Sequence, residues 1–253
     1  MRPEARRQRI EALVRESGRI TVEDLAARLG ASRETIRRDL TQLAMQGRLR
    51  KFHGGAAAPD IGSEGTFRAR LGDHAEEKQR IARRAAALFR PGDSLFIDTG
   101  STTLAFAAAL APIGRLTVVT NSGLIAEAVA RAGADNRVFL IGGTFREDGM
   151  ETLGSVAIDQ IARFRPTHVV LTAGAIDATA GIMDYDPEEA AVARAMIAQA
   201  RSLTVLADAT KLGGSAPFAV CALDTVDRLV TDRTPEQALP AAFAAADVEV
   251  IVA

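Results

Sequence analysis

From residue 94 onward, short apolar runs alternate with longer segments of helical periodicity, and this alternation restricts the fold more than any other feature of the chain. The runs are Ser94–Ile97, Leu116–Thr120, Val138–Ile141, His168–Leu171, Leu203–Leu206, Arg228–Val230 and Glu249–Val252. The helical candidates between them are Thr103–Leu110, Gly123–Arg131, Val156–Arg163, Glu188–Ala200 and Pro235–Ala245, with one more at His74–Phe89. Strands this apolar need cover on both faces, and intervening helices supply the crossovers that parallel pairing requires. The pattern predicts an α/β domain with a mainly parallel sheet.

The residues after each predicted strand differ in character from the strands. The first is followed by Asp98-Thr99-Gly100-Ser101-Thr102-Thr103, opening a helix; the second by Asn121-Ser122; the third by Gly142-Gly143-Thr144. The fourth leads to Gly174-Ala175-Ile176-Asp177 and the fifth to Asp208-Ala209-Thr210-Lys211. In open α/β sheets, ligands bind at the carboxyl ends of strands. The Gly100–Thr103 turn has the parts of a phosphate cradle: a glycine for close approach, hydroxyls, and a helix N-terminus with free N–H groups. Lys211 would add compensating charge. Singly, such a turn is often only a helix cap, and an Asn after a strand only a turn former. Together they point to an anionic ligand. Neither a Walker motif nor a G-x-G-x-x-G follows the first strand, so no ATP, dinucleotide or other cofactor is expected. Cys221 is the only cysteine and reads as a buried structural thiol. His53, His74 and His168 are scattered, so no metal site is expected.

The first 58 residues carry 13 basic and seven acidic side chains, a net +6 against −7 for the rest. A basic head on an acidic body suggests a polyanionic partner for the head, although a solvated surface would look the same by charge alone. Three helices are readable there. Ile10, Leu13 and Val14 mark the first. The second opens at Thr21 with Asp24 as a capping box and stops at Gly30. The third opens at Ser32, with Ile36, Leu40 and Leu43 inward and Arg33, Arg37 and Arg38 elsewhere on its surface. Helix, tight turn and arginine-bearing helix form a helix-turn-helix, whose second helix enters the major groove. The segment from Gly47 to Gly55 alternates basic and apolar residues between glycines. It reads as a β-hairpin wing over the DNA backbone, with Arg50, Lys51 and His53 as contacts, Leu49 packed inward and Phe52 a candidate for the same.

Residues 6–58 resemble the DeoR-type helix-turn-helix of bacterial regulators. Ser32-Arg33-Glu34-Thr35-Ile36-Arg37-Arg38-Asp39-Leu40 matches that family's S-x-x-T-I-R-R-D-L recognition helix, and His53-Gly54-Gly55-Ala56 its H-G-G-A ending. The resemblance implies that Ser32, Arg33, Thr35, Arg37 and Arg38 contact DNA, and that Asp39 fixes an arginine or the helix end. Residues 76–232 are similar to the family's sensor domain, which shares its fold with sugar-phosphate isomerases. This implies a phosphorylated sugar or polyol effector held by Asp98, Gly100, Ser101, Thr102, Thr103, Asn121, Gly142, Gly143, Asp177, Glu189 and Lys211; Thr120, Gly174, Gly181 and Asp208 also match the family. Many members carry a lysine where this chain has Ala193, leaving Arg194 as a substitute cation. Tyr185-Asp186 with Glu189 and Arg194 resembles members that respond to glycerol-3-phosphate.

The expected organisation is a winged helix-turn-helix over 1–57, a linker over 58–73 and an effector-sensing α/β domain over 74–253. The expected function is transcriptional regulation without catalysis, in a homodimer or homotetramer that binds double-stranded operator DNA. The alternatives weighed are an isomerase-like enzyme with a DNA-binding head and an architectural DNA binder. No apolar run reaches the ~18 residues of a membrane span. The basic, amphipathic start is unlike a signal segment, so the cytoplasm is the expected location.

Overall fold

The computed structural model describes residues 3–45, 49–52, 54–57 and 65–253, which fall into two compact units, Met1–Asp73 and His74–Ala253.

The first unit runs α1 (Pro3–Ser17), β1 (Arg19–Thr21), α2 (Val22–Leu29), α3 (Arg33–Met45), β2 (Arg50–Phe52), β3 (Gly55–Ala57) and α4 (Phe67–Gly72). Ile10, Leu13, Val14, Leu25, Ile36, Leu40, Leu43 and Leu49 are buried together, as the helical spacing predicts. Thr21 caps α2 by accepting the Asp24 N–H at 3.1 Å. The Asp24 carboxylate accepts the Thr21 hydroxyl at 2.7 Å rather than the backbone N–H of a capping box, because Thr21 also closes β1, in register with Gly55. Gly30 ends α2 in the left-handed region at φ +60°. The wing is β2 paired antiparallel with β3, and β1 adds a third strand on the other side of β3. Periodicity missed β1, since three residues carry no readable alternation. For the same reason the expected linker concealed α4, a six-residue helix capped by Thr66, with Phe67 and Ala69 buried. Residues 58–64 of that linker lie outside the described residues.

In the second unit, α5 (Ala75–Ala86) leads into β4 (Ser94–Ile97), α6 (Ser101–Leu110), β5 (Thr117–Thr120), α7 (Gly123–Arg131) and β6 (Arg137–Leu140). A hairpin follows, β7 (Thr144–Arg146) and β8 (Glu151–Leu153), then α8 (Ser155–Ile161) and β9 (His168–Thr172). Next come β10 (Ala175–Asp177), β11 (Gly181–Asp184), α9 (Pro187–Ile197), β12 (Ser202–Leu206) and β13 (Phe218–Cys221). The last elements are β14 (Arg228–Thr231), α10 (Leu239–Ala245) and β15 (Glu249–Val252). The seven apolar runs form one parallel sheet in the order β15-β14-β12-β9-β4-β5-β6.

Alternation along these strands feeds two cores. Leu95, Ile97, Val118, Val170, Leu206 and Val230 pack with Ile81 of α5, Phe106 and Leu110 of α6 and Ile125 of α7. Phe96, Val119, Val169, Leu171, Val205 and Leu229 pack with Ile161 of α8, Met196 of α9 and Phe243 of α10. The chain builds β4, β5 and β6 toward one edge, then returns to place β9 on the other flank of β4. In open α/β sheets such a reversal marks the ligand-binding crevice, here at the carboxyl ends of β4 and β9.

The head should be sensitive at Gly55. A Cβ there would lie 2.4 Å from the Ile20 backbone oxygen and 2.5 Å from Phe52 Cζ. Gly55→Ala should cost the head about 1–3 kcal/mol in urea unfolding, the usual cost of overpacking. An unchanged midpoint would refute the close packing of β1 on β3.

Candidate DNA interface and effector site

On α3, Ser32 accepts the Thr35 N–H at 3.1 Å and shares a 2.9 Å hydrogen bond with the Thr35 hydroxyl. Both polar side chains are thereby held at the helix start, where Ser32 caps the first turn. Arg33, Arg37 and Arg38 are all exposed. Arg33 lies 3.6 Å from Glu23 and Arg38 lies 3.3 Å from Glu34, both solvent-facing pairs worth little in water. The Arg37 guanidinium has no ion-pair partner among the described residues. Asp39 is buried beneath this surface and ties α3 to α1 through a 2.5 Å ion pair with Arg6. That hydrogen bond raises the Arg6 pKa despite burial, which works the other way. On the wing, the exposed Lys51 donates to the Thr41 hydroxyl at 2.8 Å, so the strand is braced on α3. Arg19 stacks 3.8 Å over the Phe52 ring. Arg50 belongs to β2, but its side chain and all of His53 lie outside the described residues.

In the second unit, the Asp98 carboxylate accepts the Thr172 N–H at 3.2 Å, joining the ends of β4 and β9. Gly100 follows where a Cβ would meet Thr172 Cγ2 at 2.4 Å, so contact with a neighbouring strand, not φ, requires glycine there. No side chain caps the first turn of α6. Thr102 and Thr103 are buried and Ser101 half-buried. The Thr103 hydroxyl is spent on the Gly100 carbonyl at 3.1 Å, leaving the hydroxyls of Ser101 and Thr102 beside the helix N-terminus.

Asn121 is buried and locks onto the β7–β8 hairpin, its side-chain amide donating to the Thr152 carbonyl at 3.2 Å while its backbone carbonyl accepts the Thr152 N–H at 2.9 Å. Gly142 N–H donates to Gln160 Oε1 at 2.9 Å. Gly143 lies against the hairpin, 2.5 Å from the Leu153 oxygen to an added Cβ.

Sequence reasoning missed the residue at the centre of this region, Arg146 of β7. Its Nη1 lies 3.0 Å from both Asp186 and Glu189 and 3.6 Å from Glu151, and its Nη2 lies 2.9 Å from Glu188. Burial opposes the charge, but Asp186, Glu151 and Glu189 together raise the Arg146 pKa above its ordinary value. Burial likewise opposes the ionisation of Asp186; Arg146 and the N–H groups of Glu189 and Glu188 outweigh it and hold that carboxyl low. Arg146 stands directly opposite Glu151 in the β7–β8 register, a pairing that only the fold reveals.

Asp98 lies within the field of the same carboxylates. Burial first, then the charges of Asp184, Glu189 and Glu151, push its pKa well up against the Thr172 hydrogen bond. Asp98, Asn121, Gly142, Gly143 and Glu189 thus all connect to one region around the hairpin and the β4–β9 crevice. Asp177 does not join them. It turns β10 into β11 by accepting the N–H groups of Thr179 and Ala180, both at 2.8 Å, which lower its pKa. It lines another crevice of about 250 Å³ with Ala209, Leu212, Arg233 and Glu236. Lys211 closes the short turn after β12 that Asp208 caps. Gly181 sits at φ +78° against the Cys221 oxygen, a backbone role. Arg194 is exposed and donates to the Ala219 carbonyl, bracing α9 on β13. The cation beside Glu189 is therefore Arg146. Burial pushes the Cys221 thiol up to about 12, leaving it inert at neutral pH. No helix among the described residues is long and apolar enough to cross a membrane.

Comparison with known proteins places both units. Residues 6–61 match the DeoR-like helix-turn-helix domain, and residues 73–233 match the DeoR C terminal sensor domain. The glycerol-3-phosphate regulon repressor of Escherichia coli is 33% identical over 235 residues, 93% of each chain. The repressor of the same name in Haemophilus influenzae is 36% identical over 236 residues, 93% of this chain and 92% of its own. Among solved structures, ribose 5-phosphate isomerase A of Methanocaldococcus jannaschii matches at TM-score 0.41 and 15% identity over 55% of each chain.

Asp98 generates a pH signature. Its folded pKa is raised, so its ionisation costs stability progressively as pH climbs from the unfolded value, about 3.9, toward the folded one. Asp98→Asn should therefore raise the melting temperature at pH 7, and the gain should shrink to nothing near pH 4. A variant less stable than the parent at pH 7 would contradict the assignment.

Proposed function

We propose that this chain, which belongs to the DeoR family of transcriptional regulators, represses genes of sugar or polyol metabolism and is released from its operator by a phosphorylated polyol, with glycerol-3-phosphate as the first candidate. The observation that carries the reading is the exposed arginine face of α3, braced from behind by the Arg6–Asp39 pair. Arg37, with no ion pair to give up among the described residues, reads a base edge, since guanidinium matches guanine O6 and N7. Arg33 and Arg38 exchange solvent-exposed carboxylates for phosphates. Ser32 and Thr35 contact the backbone at the helix start, and Arg50, Lys51 and His53 follow the DNA from the wing.

Effector recognition divides into two chemistries. The uncapped first turn of α6, with Ser101 and Thr102, takes the phosphate. Asp98, Asn121 and Glu189 serve the hydroxyl end, since carboxylates and amides accept from or donate to alcohols. Lys211 adds positive charge from the strand-end loops. The curated relatives named above are glycerol-3-phosphate regulon repressors, which supports both the sign of regulation and the candidate effector. Their names also support binding without turnover. The family assignment and the absence of a membrane-crossing helix among the described residues fit action in the cytoplasm. Effector binding biases the population of DNA-competent states, with coupling of about 1–3 kcal/mol.

Two measurements test this. In a mobility-shift titration, Arg37→Ala should lose about 1–3 kcal/mol of operator-over-random discrimination; an equal loss on both DNAs would make Arg37 a phosphate contact. Glycerol-3-phosphate should raise the melting temperature and release operator DNA, and Lys211→Ala should abolish release while leaving DNA affinity intact. No shift with glycerol-3-phosphate would reject that effector.

A further inference from the structure

The parallel sheet ends at β6, and the side chains there are not covered as parallel strands usually are. Phe139 is 36% and Leu140 54% exposed. Being consecutive, they point to opposite faces of the sheet, so whatever covers both must lie along the strand edge. Beside β6, the Phe164 ring is 5.3 Å from that of Phe139. Phe164 also lines an open groove of about 400 Å³ with Val156, Asp159, Gln160 and Arg163, and Val156 is 56% exposed. Asp159 and Arg163 carry opposite charges on this groove, and neither forms an ion pair among the described residues.

We propose that this surface joins two copies of the chain about a two-fold axis, with β6 antiparallel to β6 of the other copy and Asp159 of each facing Arg163 of the other. A two-fold contact requires a patch complementary to itself. An open strand edge meets that condition, because it can pair antiparallel with its own copy. A groove bearing both signs of an unmade ion pair meets it too. A small ligand in the groove would leave Leu140 on the far face uncovered. The choice of a second copy also rests on the DNA-reading function above, since helix-turn-helix readers present two recognition helices to paired half-sites.

Sedimentation of the full chain tests the surface independently of DNA. The parent should associate at micromolar concentration. Leu140→Glu combined with Val156→Glu should halve the assembled mass with an unchanged circular dichroism spectrum. Asp159→Arg and Arg163→Asp, both on solvent-facing positions, should each weaken self-association about tenfold. An equimolar mixture of those two single variants should restore it, because each cross-pair then unites opposite charges. A monomeric parent, a folded Leu140/Val156 variant that keeps its mass, or a mixture that fails to recover would overturn the proposal. A parent that associates through this face yet binds no DNA would instead reject the DNA-reading function and leave the interface standing.

Discussion

The reversal of strand order beside β4 is the constraint on which the second unit depends. Once β9 returns to the open flank of β4, the loops after both strands must share one space. The structure secures this with two contacts, the Asp98 carboxylate on the Thr172 N–H and the Gly100 backbone against the Thr172 methyl. A side chain at Gly100 would push the two strand ends apart and displace the start of α6. The candidate phosphate position and the Asp98 carboxyl, whose pKa is raised, thus sit a few residues apart for a topological reason.

Arg146 is the second organising element. It gathers carboxylates from β8 and from the start of α9, which lie far apart in sequence. Bidentate-capable guanidinium suits this work, since its donors fan out in one plane and can serve several acceptors at once. Burial first, and then the neighbouring carboxylates Asp184, Glu189 and Glu151, raise the Asp98 pKa beside this cluster. A site with an uncapped helix start at one end and hydroxyl-accepting carboxylates at the other suits a ligand with an anionic end and a neutral one.

The head follows a different economy. Its recognition surface is made by leaving arginines out of the core and placing the fixing carboxylate, Asp39, beneath them. Asp39 is on the recognition helix yet faces inward, which keeps a negative charge away from DNA phosphates. The same residue shows how local pattern and packing cooperate. Its position on α3 follows from periodicity, and its partner Arg6 from the fold.

Much of this was determined by the sequence alone. Strands β4, β5, β6, β9, β12, β14 and β15 were legible because each is written as a short apolar run between helical segments. Helices α2 and α3 were legible because Thr21, Gly30 and Ser32 mark their ends with local hydrogen-bond chemistry. The candidate site was legible as a set of strand-end loops, through Asp98, Gly100 and Asn121. Elements β1, α4, the β7–β8 hairpin and the β10-β11-β13 sheet were not, because they fall in connecting stretches outside the alternation of apolar run and helix. Nor could spacing show that Arg146 would join Glu189, that Arg194 would turn to the Ala219 carbonyl, or that Asp177 would line another crevice. Those outcomes depend on which loops the strand order brings together, and a contact between residues 40 positions apart leaves no trace in local pattern.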